Sequence, residues 1–285
     1  MNESATTPSL ALARELAEQF SRFPQVQAVA LAGSQTSGRP DANSDIDLYV
    51  YHNAAIPLDE RRALVAARGS SRADLDMRFW DLGDEWVDLP SGIEVDIIYW
   101  EPAWIEAQLA RVLDQHQASM GYSTCFWHTI QRSQILFDRH QWFEKLQARA
   151  AQPYPQALYL RIIEMNHAVL RRVIPSYCHQ IELAVQRGDL VSVNHRVAAF
   201  LASYFDILFA LNRELNPGEK RLLSITQARC ARLPVNMAAG VTAVLQCAGS
   251  GSKELPAELH RLVDALDQLL AEEGFDPATS QPRAT

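Results

Sequence analysis

The stretch that decides the fold runs from residue 26 to residue 51 and reads VQAVALAGSQTSGRPDANSDIDLYVY. Its first seven residues, Val26–Ala32, are apolar and partly β-branched and stop at Gly33, the pattern of a short strand. Residues 33–44 (GSQTSGRPDANS) are crowded with Gly, Ser, Pro, Asp and Asn, which favour turns over ladders, so they read as a loop. Residues 45–51 (DIDLYVY) then alternate, as a half-buried strand does. Side chains two apart on a strand share a face. Asp45 and Asp47 therefore project together, while Ile46, Leu48 and Val50 point the other way, into a core.

Two adjacent carboxylates repel each other unless a cation compensates, and Mg²⁺, a hard ion that prefers oxygen ligands, is the natural candidate. A third carboxylate fits the same geometry. In residues 93–100 (IEVDIIYW), which follow a Pro90-Ser91-Gly92 turn, Val95 and Ile97 share one face and Glu94 and Asp96 the other. If this strand neighbours 45–51, Asp96 completes a three-carboxylate cluster able to hold two metal ions. Asp96 as metal ligand and Asp96 as general base both stay open. Gly33 lacks a Cβ, so backbone amides near Gly33 and Ser34 can approach a phosphate closely, and Ser34 adds a hydroxyl donor. A Gly-Ser after a strand is common, and so is an Asp-Ile-Asp on a solvated strand end. Their joint order is the signal.

On these residues, LAGSQTSGRPDANSDIDLYVY resembles the signature of the DNA polymerase beta-like nucleotidyltransferase superfamily: an apolar strand ending in Gly-Ser, then an Asp-x-Asp opening the next strand. In motif terms the resemblance covers residues 26–100, with Asp96 where that superfamily commonly has its third acidic residue. It implies transfer of a nucleoside monophosphate, AMP from ATP or another NMP from its NTP, to a hydroxyl, with Mg²⁺ (two ions) and release of pyrophosphate. By that resemblance Gly33 and Ser34 hold the triphosphate, and Asp45, Asp47 and Asp96 are the catalytic, metal-binding carboxylates.

Outward from this centre, residues 8–23 read as an amphipathic helix with Thr7 as N-cap and Pro8 in its first turn. Residues 77–80 read as a further strand, 101–117 and 141–151 as helices, and 122–138 as less regular. Pro153 and Pro155 mark a domain boundary. Beyond them the pattern is helical over 156–173, 177–187, 190–215, 220–229, 234–246 and 256–273. The expectation is an α+β fold. A small mixed-sheet nucleotidyltransferase domain with flanking helices spans 1–153, an all-α bundle spans 154–275, and 276–285 is a frayed tail. The site is expected in a cleft between the two domains.

That layout resembles antibiotic-modifying adenylyltransferases, the aminoglycoside and lincosamide enzymes, and residues 209–223 (FALNRELNPGEKRLL) are similar to a segment of their helical domain. The resemblance makes Lys220 a candidate triphosphate ligand, and a compact cation at a helix start suits an anion. A solvated helix-end lysine is the equal alternative. The implied acceptor is a hydroxyl on a small molecule such as an aminoglycoside-like antibiotic. Two alternatives stay open: a protein or RNA acceptor, as in toxin–antitoxin relatives, and a silent nucleotide-binding regulator. The second fits less well with three retained like charges.

The bulk properties narrow this further. The chain has 285 residues, 48% of them apolar, enough for a substantial core. No apolar run nears the roughly 18 residues of a membrane span, and the first residues lack a secretory pattern, so a cytoplasmic protein with reduced thiols is expected. A net charge of −8 argues against a broad nucleic-acid surface. The acidic stretch 74–88 reads as a solvated loop face or the wall of a cationic-substrate site. Trp80, Trp86, Trp100 and Trp104 are core residues or a stacking wall. Asp206 is a candidate acceptor-binding residue, with Asn194 and Tyr204 on the same helical pattern. Arg39 is a candidate phosphate contact, and no histidine spacing suggests zinc.

Overall fold

The computed structural model describes residues 7–32 and 45–282. The first element, α1 (Pro8–Ser21), is capped as its sequence dictates: the Thr7 hydroxyl accepts from Leu10 N at 3.3 Å, and Pro8 stands in the first turn. It buries Leu12, Leu16 and Phe20. The following elements are β1 (Val26–Ala32), β2 (Ile46–His52), α2 (Leu58–Arg68), β3 (Ser70–Met77), β4 (Gly83–Asp88), β5 (Glu94–Trp100), α3 (Pro102–Leu113), α4 (Cys125–Arg132), β6 (Gln134–Asp138) and α5 (Trp142–Ala150).

The strands form one mixed sheet in the order β3-β4-β5-β2-β1-β6. β2 and β5 run parallel, and the other neighbours are antiparallel. Burial alternates along the central strands. Ile46, Leu48, Val50, Val95, Ile97 and Tyr99 enter one core with Leu12, Leu16 and Phe20 of α1 and Leu64 and Val65 of α2. That face of the sheet is thus closed by two amphipathic helices.

Three features differ from the sequence-based expectation. Residues 77–80 are not a strand: β3 ends at Met77, and Phe79 and Trp80, 81% and 91% exposed, lie in the turn to β4. As an edge strand exposed from Ser70 to Asp74, β3 needs no apolar alternation there, so SSRADLD hid it. The acidic stretch 74–88 is not a solvated loop but mostly the β3–β4 hairpin. Within it Asp84 is buried against Arg61 at 2.5 Å and Tyr99 Oη at 2.8 Å, and Asp88 is buried against Arg68 at 2.6 Å. Asp88 and Glu15 hold the Arg68 guanidinium well above its usual value, and, against its burial, the Asp88 carboxyl falls below the ordinary range through Arg68 and Ser91. Within 122–138, α4 and β6 are regular; β6 completes the sheet beside β1.

The second half is helical: α6 (Gln156–His167), a π turn (Ala168–Arg172), α7 (Tyr177–Arg187), α8 (Leu190–Leu211), α9 (Leu222–Arg229), α10 (Met237–Ser250) and α11 (Leu255–Glu272). From Ala202 to Leu211 every residue of α8 is buried, so this helix is the axis of the bundle. The tail expected to fray instead forms β7 (Phe275–Asp276) and β8 (Gln281–Pro282). Ser280 Oγ lies 2.7 Å from His167 Nδ1, and the other ring nitrogen of His167 is 2.5 Å from Asp267.

The chain divides into two compact units: Met1–Leu109 with Thr129–Gln152, and Ala110–His128 with Pro153–Thr285. The prolines at 153 and 155 coincide with one crossing between them, but residues 110–128 belong with the helical unit. Among the described residues no helix is long and apolar enough to cross a membrane. All four cysteines are free thiols, and burial pushes those of Cys178 and Cys230 up to about 12.

Candidate active site

The sheet register brings the sequence-predicted carboxylates together. Asp47 on β2 is the direct neighbour of Asp96 on the parallel β5. Adjacent strands lie about 5 Å apart, so these side chains stand side by side on the face opposite the α1–α2 core. Asp45, immediately before β2, is exposed and shares that face by alternation. On the other flank Ala32, the last residue of β1, pairs with Asp47. The β1 strand therefore ends directly beside Asp47. Gly33, Ser34 and Arg39 themselves lie outside the described residues.

The row of acids does not stop at Asp96. Glu85 on β4 is in register with Asp96, and Asp74 on β3 with Glu85. Across β2, β5, β4 and β3 the same level of the sheet thus reads Asp47, Asp96, Glu85, Asp74. Asp74 is paired with Arg72 at 3.0 Å; Glu85, half-buried, has no basic partner among the described residues. Like charges on neighbouring strands weaken a sheet, by roughly 0.2–1 kcal/mol per pair. A row that breaks a local rule in this way is characteristic of a functional surface. Glu85 was obscured in the sequence because nothing in GDEWVD identifies the strand on which it alternates.

Further along the same face the character changes from acidic to aromatic. Tyr49, two residues beyond Asp47, stacks on Trp100 with centroids 4.4 Å apart and planes at 10°. Trp100 meets Trp104 of α3 at 4.9 Å, and Tyr51 packs on Trp142 and Phe143 of α5 at 5.2 and 5.0 Å. Tyr49, Trp100 and Trp104 therefore form an aromatic cluster on this face beyond the acidic row. The other tryptophans of the expected wall separate from it: Trp86 is buried in the opposite core, and Trp80 is solvent-exposed.

The donor chemistry fits a hard divalent cation: oxygen ligands of like charge, paired by register on one face. Among the described residues, however, no group of three or more His, Cys, Asp or Glu side chains is gathered closely enough to hold an ion. Asp47 and Asp96 are adjacent; the described side chains do not form the full three-carboxylate cage.

In the helical unit Lys220 is exposed, next to Arg221 at the start of α9, and no acid among the described residues pairs with it. Asp206 corrects the expectation. It is 1% exposed on α8, and its oxygens accept from Ser123 N at 3.1 Å and Asn216 Nδ2 at 2.9 Å, so the carboxylate is an interior group rather than an acceptor contact. Burial pushes its pKa up to about 6, against the opposing effect of those donors. Tyr204 is likewise buried, and Asn194 is exposed with its amide on Leu190 O.

A family model described as a nucleotidyltransferase domain matches residues 13–114, a span that holds Asp45, Asp47, Asp74, Glu85 and Asp96 but not Asp206. A second, described only as a domain of unknown function, matches residues 124–222. No curated relative matches the chain. Among solved structures, a nucleotidyltransferase-like protein from Exiguobacterium sibiricum 255-15 is 11% identical; the alignment covers 92% of this chain and 74% of that one, with a TM-score of 0.41. The resemblance read from the Gly-Ser and Asp-x-Asp motif and the match over residues 13–114 thus agree: this region belongs to the nucleotidyltransferase domain family, and the chain is a nucleotidyltransferase.

Proposed function

We propose that the chain transfers a nucleoside monophosphate, with ATP the expected donor, to a hydroxyl of a small, amine-bearing acceptor and releases pyrophosphate. The observation that carries the reading is the register of Asp47 against Asp96, with the end of β1 on one side and Glu85 on the other. Asp45 and Asp47, with Asp96, are the residues that would hold Mg²⁺. When bound, the ion supplies charge neutralisation for the triphosphate and polarises the attacked phosphorus. The chain's own part is to orient the reactants. Gly33 and Ser34 are the residues that would receive the triphosphate, through backbone amides and a hydroxyl. Asp96, on the flank away from β1, is suited to take the proton from the acceptor hydroxyl.

The flanks carry the acceptor argument. In-line displacement puts the leaving pyrophosphate and the attacking hydroxyl on opposite sides of the phosphorus. With the triphosphate toward β1, the acceptor comes over β4, where Glu85 and Asp74 extend the acidic row. An ammonium group there would compensate Glu85, which has no basic partner among the described residues, and this favours an aminoglycoside-like acceptor over RNA. The test is incubation with labelled ATP, Mg²⁺ and a panel of aminated and neutral hydroxyl acceptors. Acceptor-dependent pyrophosphate release, confined to the aminated members and lost in Asp47→Asn, is the expected result. Labelling of protein or RNA alone would overturn the acceptor assignment, and nucleotide binding with no transfer to anything would favour a silent regulator.

A further inference from the structure

The outer edge of the sheet carries a pattern that the site on its face does not use. β3 is the terminal strand, and an edge strand offers backbone N–H and C=O groups to a further strand. One bulge lies between Ser70 and Arg72 and another between Asp74 and Met77, so the regular part of this edge is the short run Arg72-Ala73-Asp74, exposed throughout. Arg72 and Asp74 stand on the same face of the strand, one on either side of Ala73, with opposite charge. Among the described residues, the large exposed apolar side chains of the sheet unit are Phe79, Trp80 and Leu89. They flank this same edge. Phe79 and Trp80 lie in the tip of the β3–β4 hairpin, just before Gly83, while Leu89 follows the other end of β4. Trp86 of β4 pairs with Ala73; Gly83 is three residues before it and Leu89 three after. The two apolar ends are therefore about equally far, roughly 10 Å, from the level of Ala73. Leu89 N donates to Gly69 O at 3.2 Å, and a Cβ on Gly69 would meet Leu89 Cδ2 at 3.2 Å, so the leucine lies over the glycine at the sheet edge. Toward the opposite end, residues 73–79 line a hollow of about 500 Å³.

We propose that this edge is the interface with a second copy of the chain, the two β3 strands pairing antiparallel about a two-fold axis at Ala73. A two-fold contact requires a surface complementary to itself, and the edge meets that condition twice. With Ala73 facing Ala73 of the second copy, Arg72 faces its Asp74 and Asp74 faces its Arg72. The same axis carries the hairpin tip of each copy to the Leu89 end of the other, where the leucine meets the hollow along 73–79. The regular strand pairing is short, so the apolar ends supply most of the buried area. Two six-stranded sheets thereby become one continuous sheet. The acidic row of Asp47, Asp96, Glu85 and Asp74 then ends on Arg72 of the second copy, which leaves Glu85 as the acid of that flank for a cationic acceptor.

The experiment is sedimentation equilibrium on the full chain; it reads mass rather than transfer, so its outcome is independent of the proposed chemistry. The natural chain is expected at twice the monomer mass at micromolar concentration. Arg72→Glu sets two acids against each other across the axis, and Asp74→Arg sets two bases. Both side chains are exposed, so neither change threatens the fold, and each should raise the dimer dissociation constant about tenfold or more. Mixing these two variants restores both attractions and should return a dimer made of one chain of each. Leu89→Asp, also at an exposed position, should give monomer. A natural chain that is monomeric at every concentration overturns the interface. So does a dimer that persists in all three variants, because it must use another face. Charge variants that stay apart when mixed overturn the pairing about Ala73.

Discussion

The open face of the sheet and the interior of the helical unit use the same functional group in opposite ways. On the sheet, Asp47, Asp96 and Glu85 stand side by side at one level of three adjacent strands, and the sheet bears their mutual repulsion. In the helical unit a single carboxylate, Asp206, is withdrawn from water and ringed by N–H donors that hold three chain segments together. The first arrangement is poorly adapted to stability and well adapted to a cation. The second is organised for architecture. Asp alone in a sequence does not distinguish them; its neighbours in space do.

The comparison can be broken most directly at Asp47. Asp47→Asn should lower pyrophosphate release by about 10³-fold, because it removes charge from the reacting centre while leaving the strand intact. Survival of near-normal transfer would mean that the sheet carboxylates are ornamental.

Asp206→Ala should act on the fold instead. It leaves Ser123 N and the Asn216 amide without an acceptor, at a cost of about 3 kcal/mol, measurable by urea unfolding. The group also predicts a pH signature. Its folded pKa of about 6 lies above the ordinary 3.8, so the folded state holds the proton more tightly. Its contribution to stability is therefore fully present below the ordinary value and is lost as pH rises through about 6. Unfolding free energies measured across pH 4–7 should show that decline in the natural chain and a flatter profile in Asp206→Asn. A difference in slope of zero would contradict the assignment.

A smaller effect sharpens the acceptor side. Glu85→Gln should reduce kcat/KM for aminated acceptors by about 10-fold, the value of one charge-assisted contact, with KM for ATP unchanged. The smallest effect has the most informative sign. In the absence of divalent metal, Asp47→Asn should stabilise the chain by a few tenths of a kcal/mol, since it relieves repulsion from Asp96. Asp206→Ala shifts stability the other way.

Much of this was readable from the residues. DIDLYVY and IEVDIIYW alternate so cleanly that the face each carboxylate takes on its own strand follows from period two, whereas the pairing of Asp47 with Asp96 comes from the register of β2 on β5. Thr7-Pro8 announces α1 by its capping chemistry. What escaped were elements whose residues obey tertiary partners rather than a local period. β3 is an edge strand without an apolar face, and β4 points Asp84 inward because Arg61 of α2 waits there. Glu85 was hidden with its strand. The role of Asp206 was unreadable for a related reason: its partners Ser123, Asn166 and Asn216 are 83, 40 and 10 residues away in sequence.

The way the chain passes between its two units has a practical corollary. Because 110–128 is folded with the C-terminal helices and 129–152 returns to the sheet, no single peptide bond severs one unit from the other. Cutting the gene at the proline pair near 153 would leave the first product carrying a helix end and a loop whose companions were discarded. It would also deprive the second product of the Ser123 amide and the Thr124 hydroxyl. Each half would emerge with a wound in its interior. The catalytic half of this protein is therefore not a cassette that can be lifted out by truncation, and swaps with other nucleotidyltransferases must exchange two segments at once.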